Sequence, residues 1–155
     1  MNLPTNTELI KQEVKEFINQ MGFGPFLDSV ESYEGSANRF CVRLSGEANM
    51  LIGEYGVNLL AIEHLVKKVL RKKLPEEVKF TLDINDYRVK KLEDLKQDIK
   101  TAAKEVRAKG REVPLRPMFS FERRIVHLLL SEYPDITTES VGMGPERRVV
   151  IKPYP

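Results

Sequence analysis

With 155 residues and a net charge of +2, the chain can form one domain or two small ones, and its total charge does not indicate a polyanionic partner. The single Cys41 excludes an internal disulfide framework, and without a CxxC pair or a His/Cys cluster we expect no metal and no other cofactor. The sequence has neither a signal-peptide pattern nor an apolar run near the ~20 residues that span a bilayer, so we expect a cytoplasmic protein with no membrane insertion.

The first elements predicted are a helix and two strands. Thr5 and Glu8 fit a capping box before an amphipathic helix that ends at Gly22. Two strands then flank a turn at Glu34, Gly35 and Ser36. The second strand alternates, with Phe40, Val42 and Leu44 on one face.

The next elements predicted are two helices around a glycine turn, followed by a strand. A short helix from about Glu47 leads into Gly53-Glu54-Tyr55-Gly56, and a second helix leaves that turn and ends before Pro75. Residues 78–84 alternate strictly between apolar and polar, which predicts a strand with one face in the core and the other in water.

The remaining residues predict a long helix and a second small α+β unit. The helix runs from about Asp86 to Gly110, with Val89 expected at the start of its apolar stripe, and is expected to link two halves of the chain. An extended piece at 113–115, a helix capped by Ser120, and two strands at 136–141 and 147–151 follow. In the helix that begins at Ser120, Ile125 and Leu129 are expected to face a core.

The glycine turn has the form of a backbone-binding site. Two glycines in a Gly-x-x-Gly turn leave little side-chain bulk, so a sugar-phosphate chain can approach closely. Amide groups at the start of the following helix favour phosphate oxygens. The pattern by itself is weak, because many such turns only reverse the chain.

The order of elements around this turn strengthens the interpretation. Helix, two strands, helix, Ile-Gly-x-x-Gly, helix and strand resemble the KH domain in its type II order, over about residues 5–85. The resemblance implies that the turn holds about four nucleotides of a single strand. KH loops commonly carry a Lys or Arg at a middle position, whereas this chain has Glu54 and Tyr55. We expect Glu54 to weaken phosphate binding unless Tyr55 stacks on a base or nearby lysines dominate.

A second candidate site lies on the helix near residue 123. Arg123 and His127 are four residues apart and therefore share one side of it. A guanidinium suits phosphate, and an imidazole can donate a hydrogen bond or stack on a base. A structural histidine beside an ordinary surface arginine would give the same spacing.

The sequence around this pair resembles a second family. Phe121 to His127, followed by two strands, is similar to the R-3-H domain, and Gly110 to Met118 is the most specific part of a wider resemblance to the bacterial Jag (SpoIIIJ-associated) family. The resemblance implies a KH domain at 1–86 and an R-3-H domain at 87–155 that includes the linking helix 87–109. Many members of the family also carry a small N-terminal domain, and this sequence departs from them because we expect none here. The resemblance also implies a bacterial RNA-binding regulator whose KH domain dimerises with itself or with a small separate KH protein.

Our leading hypothesis is an α+β protein of two small modules that binds single-stranded RNA, or DNA, by backbone and stacking contacts. The alternative is a protein-interaction adaptor with a weakened KH site, and we expect no enzyme. Arg147 and Arg148 either extend the phosphate-binding surface or protect an edge strand from self-association. The candidate nucleic-acid-binding residues are Ile52, Gly53, Glu54, Tyr55, Gly56, Lys67, Lys68, Arg123, Arg124, His127, Arg147 and Arg148.

Overall fold

The computed structural model describes residues 5–35, 38–46 and 48–155. It divides into two compact units, Met1–Lys90 (unit 1) and Lys91–Pro155 (unit 2). Each contains helices and a three-stranded sheet, so the predicted α+β class is confirmed. Two predicted features, Ser36 of the turn and the helix start at Glu47, lie outside the described residues.

Unit 1 has the order of elements that the sequence predicts. It contains α1 (Asn6–Gln20), β1 (Leu27–Tyr33), β2 (Asn38–Leu44), α2 (Asn49–Ile52), α3 (Val57–Lys73) and β3 (Phe80–Ile84). The sheet has the order β1-β2-β3, in which β2 pairs antiparallel with β1 and parallel with β3. The parallel pairing is possible because α2 and α3 carry the chain back across the sheet.

The predicted capping box begins α1, since Glu8 N donates to Thr5 Oγ1 at 3.3 Å and Thr5 N donates to Glu8 Oε2 at 2.9 Å.

One face of the sheet of unit 1 is buried under the helices. The Phe40 and Phe80 rings meet edge to face with centroids 5.4 Å apart. Other core side chains are Ile10, Val14, Ile18, Val42, Leu59, Ile62, Val66, Leu82 and Ile84.

The sequence predicted that the opposite face of the sheet is exposed to water. This prediction is wrong at the centre of the face, where side chains are buried. Cys41 and Asp83 are both 0% exposed. Arg39 Nη1 lies 3.1 Å from Asp83 and 3.2 Å from Asp86, and Arg43 Nη1 lies 2.6 Å from Asp86. We call these two arginines and two aspartates the ion network; its arginines cover the thiol and the buried carboxylate, and burial raises the pKa of Cys41.

The buried carboxylate also holds the chain where it leaves β3. Asp83 Oδ1 accepts hydrogen bonds from the amides of Ile84 at 2.8 Å and Arg88 at 3.0 Å. Between them, Asn85 and Asp86 have left-handed backbone angles, with φ of 49° and 59°. Short polar side chains tolerate this conformation best. Asp83 therefore stabilises the turn that starts the next helix.

Unit 2 is built on the second sheet. Its elements are α4 (Tyr87–Lys109), which belongs to it from Lys91 onward, β4 (Val113–Pro114), α5 (Ser120–Leu130), β5 (Ile136–Val141) and β6 (Arg148–Pro153). The strand order is β4-β6-β5, with both pairings antiparallel. Buried side chains come from α4, α5 and one face of β6; among them are Leu95, Ile99, Val106, Val126, Leu130, Val149 and Ile151.

Three details of unit 2 and the long helix differ from expectation. Ser120 is the first residue of α5 rather than its cap, because Phe119 occupies the cap position and its amide donates to Glu122 Oε2 at 3.0 Å. Leu129 is 36% exposed, since Val126 and Leu130 are the residues that face the core. Val89, expected on the apolar stripe of α4, is 37% exposed.

Within the described part of the chain, no helix is both long and apolar enough to cross a membrane.

We expect Asp83→Ala to destabilise unit 1 by about 3 kcal/mol, because the amides of Ile84 and Arg88 lose their side-chain acceptor and Arg39 loses one of its two carboxylate partners. Urea unfolding followed by circular dichroism measures this. Asp28→Ala is the matched control in the same unit, since Asp28 on β1 is exposed and has no ion pair among the described residues. Equal stability of the two variants would contradict a stabilising role for Asp83.

The ion network also predicts acid sensitivity. A hydrogen bond from Arg43 lowers the pKa of Asp86, and hydrogen bonds from Tyr33 and Arg43 lower the pKa of Glu31. Carboxylates with a lowered pKa stabilise the fold above their ordinary pKa, and that stabilisation is lost as pH falls. We therefore expect the difference in Tm between the wild type and Arg43→Met to shrink between about pH 5 and pH 2. A constant difference in Tm across this range would exclude the mechanism.

Candidate nucleic-acid interface

The glycine turn of unit 1 joins two helices, as the sequence predicts. The chain passes from α2 to α3 through Gly53, with φ of 75°, Tyr55, with φ of 56°, and Gly56, with φ of 80°. A Cβ on Gly56 would lie 2.9 Å from the ring of Tyr87, so this position has no room for a side chain. Tyr55 adopts a backbone conformation that is unfavourable for a residue with a side chain, and it is 60% exposed.

The chemistry of the turn is less suited to phosphate than its shape. The amide of Gly56 donates to Gly53 O at 3.2 Å, and that of Val57 donates to Glu54 O, so both are used inside the turn. The Glu54 carboxylate is exposed. Ile52 is only 7% exposed and belongs to the core, so its side chain supports the turn from below rather than facing a ligand.

The two candidate lysines of α3 differ in their surroundings. Lys67 Nζ lies 3.1 Å from Glu63 Oε1 and 5.2 Å from the centre of the Phe80 ring. Lys68 is exposed and has no ion pair within residues 5–35, 38–46 and 48–155. Of these two lysines, Lys68 is therefore the one that presents an uncompensated charge.

In unit 2, Arg123 and His127 both lie on the side of α5 that meets the sheet edge. Each of the two side chains contacts another residue of the same unit. Arg123 Nη1 donates to the carbonyl oxygen of Met118 at 2.8 Å. His127 Nδ1 lies 2.6 Å from the hydroxyl oxygen of Thr138 on β5. These contacts fix both side chains on the surface of unit 2 and give Arg123 a structural role beside any ligand contact.

Arg147 and Arg148 point to opposite faces of the sheet. Arg147 Nε donates to Ser140 Oγ at 3.1 Å, and Ser140 pairs with Val149, whose side chain is buried in the core of unit 2. Arg148 Nη2 instead pairs with Glu146 at 3.0 Å. Since β6 lies between β4 and β5, protection of an edge strand does not account for either arginine.

Arg147 therefore lies on the same side of unit 2 as Arg123 and His127. Met118 connects them directly, because its amide donates to Arg147 O at 3.1 Å while its carbonyl accepts from Arg123. We call Arg123, His127 and Arg147, with the hydroxyls of Thr138 and Ser140, the α5 site. Neither arginine of this site has an ion pair with any acidic residue that the structure describes, so the site has a net positive charge.

Arg124 lies outside the α5 site. It is exposed, and it follows Arg123 by one position, which turns it about 100° around the helix. In the described residues it has no ion pair, so no acidic neighbour compensates its charge. Its charge remains available at the outer side of α5.

Sequence reasoning missed Thr138, Ser140 and the carbonyl of Met118. A signal for the two hydroxyls was present, because strand alternation places Thr138 and Ser140 on the same face as the apolar Ile136. Polar side chains at the apolar face of a strand indicate a partner there. The carbonyl of Met118 had no sequence signal, since a main-chain contact with a side chain on another element depends on the fold.

Among the residues that the structure describes, one cluster of metal-binding residue types is present. The ligand atoms of Cys41, Asp83 and Asp86 lie within 4.8 Å of one another. Arg39 and Arg43 occupy both carboxylates, and burial raises the pKa of the thiol. The guanidinium groups already supply the positive charge that a metal would bring, so this cluster serves the fold.

Comparison with known proteins identifies the class of unit 2. Residues 90–153 match the R-3-H domain. This match includes the whole α5 site, the strands that carry it and nearly all of α4. Unit 2 is therefore an R-3-H domain, as the Arg-x-x-x-His pattern predicts.

The wider comparison places the chain among bacterial proteins named RNA-binding protein KhpB. It is 36% identical over 102 residues to the one from Lactiplantibacillus plantarum, a match covering 66% of this chain and 32% of that protein. It is 31% identical over 147 residues to the one from Clostridium symbiosum, covering 93% and 66%. For Bacillus subtilis the identity is 37% over 111 residues, covering 70% and 53%.

The chain belongs to the family of these proteins, which is the Jag family that its sequence resembles. The matches span between about a third and two thirds of the relatives' own length.

We expect Arg123→Ala to destabilise unit 2 by about 1–2 kcal/mol, because the carbonyl of Met118 loses a charged donor. Hydrogen exchange at the Met118 amide should accelerate with it, since that amide is bonded to Arg147 O. Arg124→Ala removes a neighbouring charge without a hydrogen bond and should leave both measurements unchanged. If the two variants behaved alike, the structural role of Arg123 would be refuted.

Proposed function

We propose that this protein binds single-stranded nucleic acid, with RNA as its natural ligand, and that the α5 site is its principal backbone contact. The observation that carries the proposal is the convergence of Arg123, His127 and Arg147 on one side of unit 2 without acidic compensation among the described residues. Guanidinium groups in this setting favour phosphate oxygens. The R-3-H domain and the names of the relatives, which are RNA-binding proteins, support the same ligand.

Unit 1 is proposed to be the type II KH domain, within a division at residues 1–86 and 87–155. Its element order and its glycine turn support this. Glu54 and the internal use of two amides argue that the turn contributes shape and stacking more than charge. The role proposed is that of a cytoplasmic RNA-binding regulator that is not an enzyme, with modest sequence preference because backbone and stacking contacts dominate.

A second candidate function is that of a protein-interaction adaptor. The supporting observation is a group of exposed apolar side chains around the glycine turn and the first half of α3. They are Met50, Tyr55, Val57, Leu60 and Leu65, each at least 47% exposed. A surface of this kind suits KH-mediated pairing with a second copy or with a small separate KH protein. It is compatible with RNA binding through the α5 site.

Titration of the full chain with a labelled single-stranded RNA, matched DNA and duplex RNA at two salt concentrations tests the proposal. We expect preference for single strands and affinity that falls with salt. Absence of binding at low salt would exclude the proposal and favour the adaptor. A ribonuclease assay on the same oligonucleotides tests for catalysis, and no turnover is expected.

Arg147, which immediately precedes β6, and Arg148, its first residue, provide a matched pair of variants. Arg147→Ala should weaken RNA binding and reduce the slope of log affinity against log salt by about one. Arg148→Ala removes the same charge from the opposite face and should change affinity much less. Equal losses in both variants would show that net charge, rather than the α5 site, determines binding.

Glu54→Lys should tighten RNA binding about two- to fivefold, because it removes a like charge from the turn and adds a cation. Glu76→Lys makes the same change of net charge at an exposed position after α3 and is the control. If both variants gained equally, the turn would have no special contact with the strand.

A further inference from the structure

The outer side of α5 carries two large apolar side chains that the core does not use. Phe121 is 73% exposed and Leu128 is 69% exposed, whereas Val126 and Leu130 of the same helix are at most 2% exposed. Phe121 and Leu128 are seven residues apart, and Arg124 lies between them. Because these spacings follow the helical period, the three side chains share one side of α5.

These three residues contribute little to folding. Phe121 makes no ring contact, and Arg124 has neither an ion pair nor a side-chain hydrogen bond, with any residue in the described ranges. Isolated exposed apolar residues are ordinary. An aromatic and an aliphatic side chain flanking an uncompensated guanidinium are a different arrangement, because they form a surface with both apolar and cationic character.

We propose that Phe121, Arg124 and Leu128 form a base-stacking platform for the unpaired bases of a single-stranded nucleic acid. This inference rests on the proposed function and deepens it. The platform adjoins the α5 site along the helix, since Arg124 follows Arg123 and Leu128 follows His127. The α5 site then holds phosphates, and the platform holds the bases that those phosphates carry.

The charge of the surface identifies the occupant. Arg123, Arg124 and Arg147 have no acidic partner among the described residues, so they favour a ligand that carries negative charge. An apolar peptide or a bilayer interior would cover Phe121 and Leu128 but would remove Arg124 from water without a partner. A single strand supplies phosphates for the arginines and flat π surfaces for Phe121, and a guanidinium also stacks on bases.

Stacking on the Phe121 ring uses the flat face of a base and reads none of its hydrogen-bonding edges, so we expect the platform to have little base preference. Duplex nucleic acid does not fit, because its bases are already stacked and paired. The platform thus accounts for a preference for single strands that phosphate contacts alone do not create.

The chain has no tryptophan, so Phe121→Trp introduces a unique fluorophore at the platform. We expect single-stranded RNA to quench its emission as bases stack on the indole ring. Tyr154→Trp is the control, since Tyr154 is 62% exposed and lies beyond the end of β6 opposite to Arg147. Its emission should change little at the same RNA concentration.

Affinity measurements with the same RNA complete the test. Phe121→Ala should weaken binding roughly tenfold, and Phe121→Leu should lose nearly as much, because leucine retains apolar area without a π surface. The salt dependence should stay that of the wild type in both, whereas Arg124→Gln should reduce the salt slope. Thermal unfolding checks that the variants fold, as expected for an exposed position.

The outcomes separate the two proposals. If the wild type binds RNA while the Phe121→Trp variant shows no quenching and Phe121→Ala binds equally well, the platform is wrong and the RNA-binding function stands. If the wild type binds no single strand at low salt, both are wrong. Quenching by a glutamate-rich peptide or by anionic vesicles, without quenching by RNA, would show that the surface has a different occupant and would overturn the inference.

Discussion

Burial of Val149 and Ile151 in the core of unit 2 determines where the other side chains of β6 can point. Side chains alternate along a strand, so Arg147 shares the face of these two residues and Arg148 does not. The same constraint acts on β5, where Thr138 and Ser140 share a face with Ile136. The α5 site is therefore a consequence of core packing, since the apolar residues that close the core also direct the polar residues at its border.

The same constraint has a different result in unit 1. Phe40 and Val42 point into the core, so Arg39, Cys41 and Arg43 point to the other face. That face carries a buried carboxylate, and the arginines cover it rather than a ligand. A row of arginines on a strand thus serves the fold in one unit, while an arginine at a strand start faces the proposed binding surface in the other. The reason is that Asp83 and Asp86 lie beside the arginines of unit 1, whereas Arg147 has no acidic partner among the described residues.

The two units consequently differ in what they offer a ligand. Unit 1 supplies a glycine turn with suitable shape, an exposed tyrosine and an acidic side chain, and much of its basic charge is already paired. Unit 2 supplies arginines without acidic partners in the described chain, beside hydroxyl groups and exposed apolar side chains. Electrostatic attraction to a strand is expected to be concentrated in unit 2, because uncompensated cations are the ones that release counterions from phosphates.

Local patterns in the sequence determined the elements of both units. The capping box at Thr5, the glycines at 53 and 56 and the alternation of residues 78–84 depend on neighbours in the chain, and the Arg-x-x-x-His spacing likewise placed two side chains on one helix side. Only the tertiary structure decided which charges remain uncompensated. Arg39 pairs with Asp83, 44 residues along the chain, and Arg43 pairs with Asp86, 43 residues along the chain. Arg147 has no acidic partner among the described residues and instead donates to Ser140 on β5. Electrostatic partners are selected by distance in space, and a sequence records only distance along the chain.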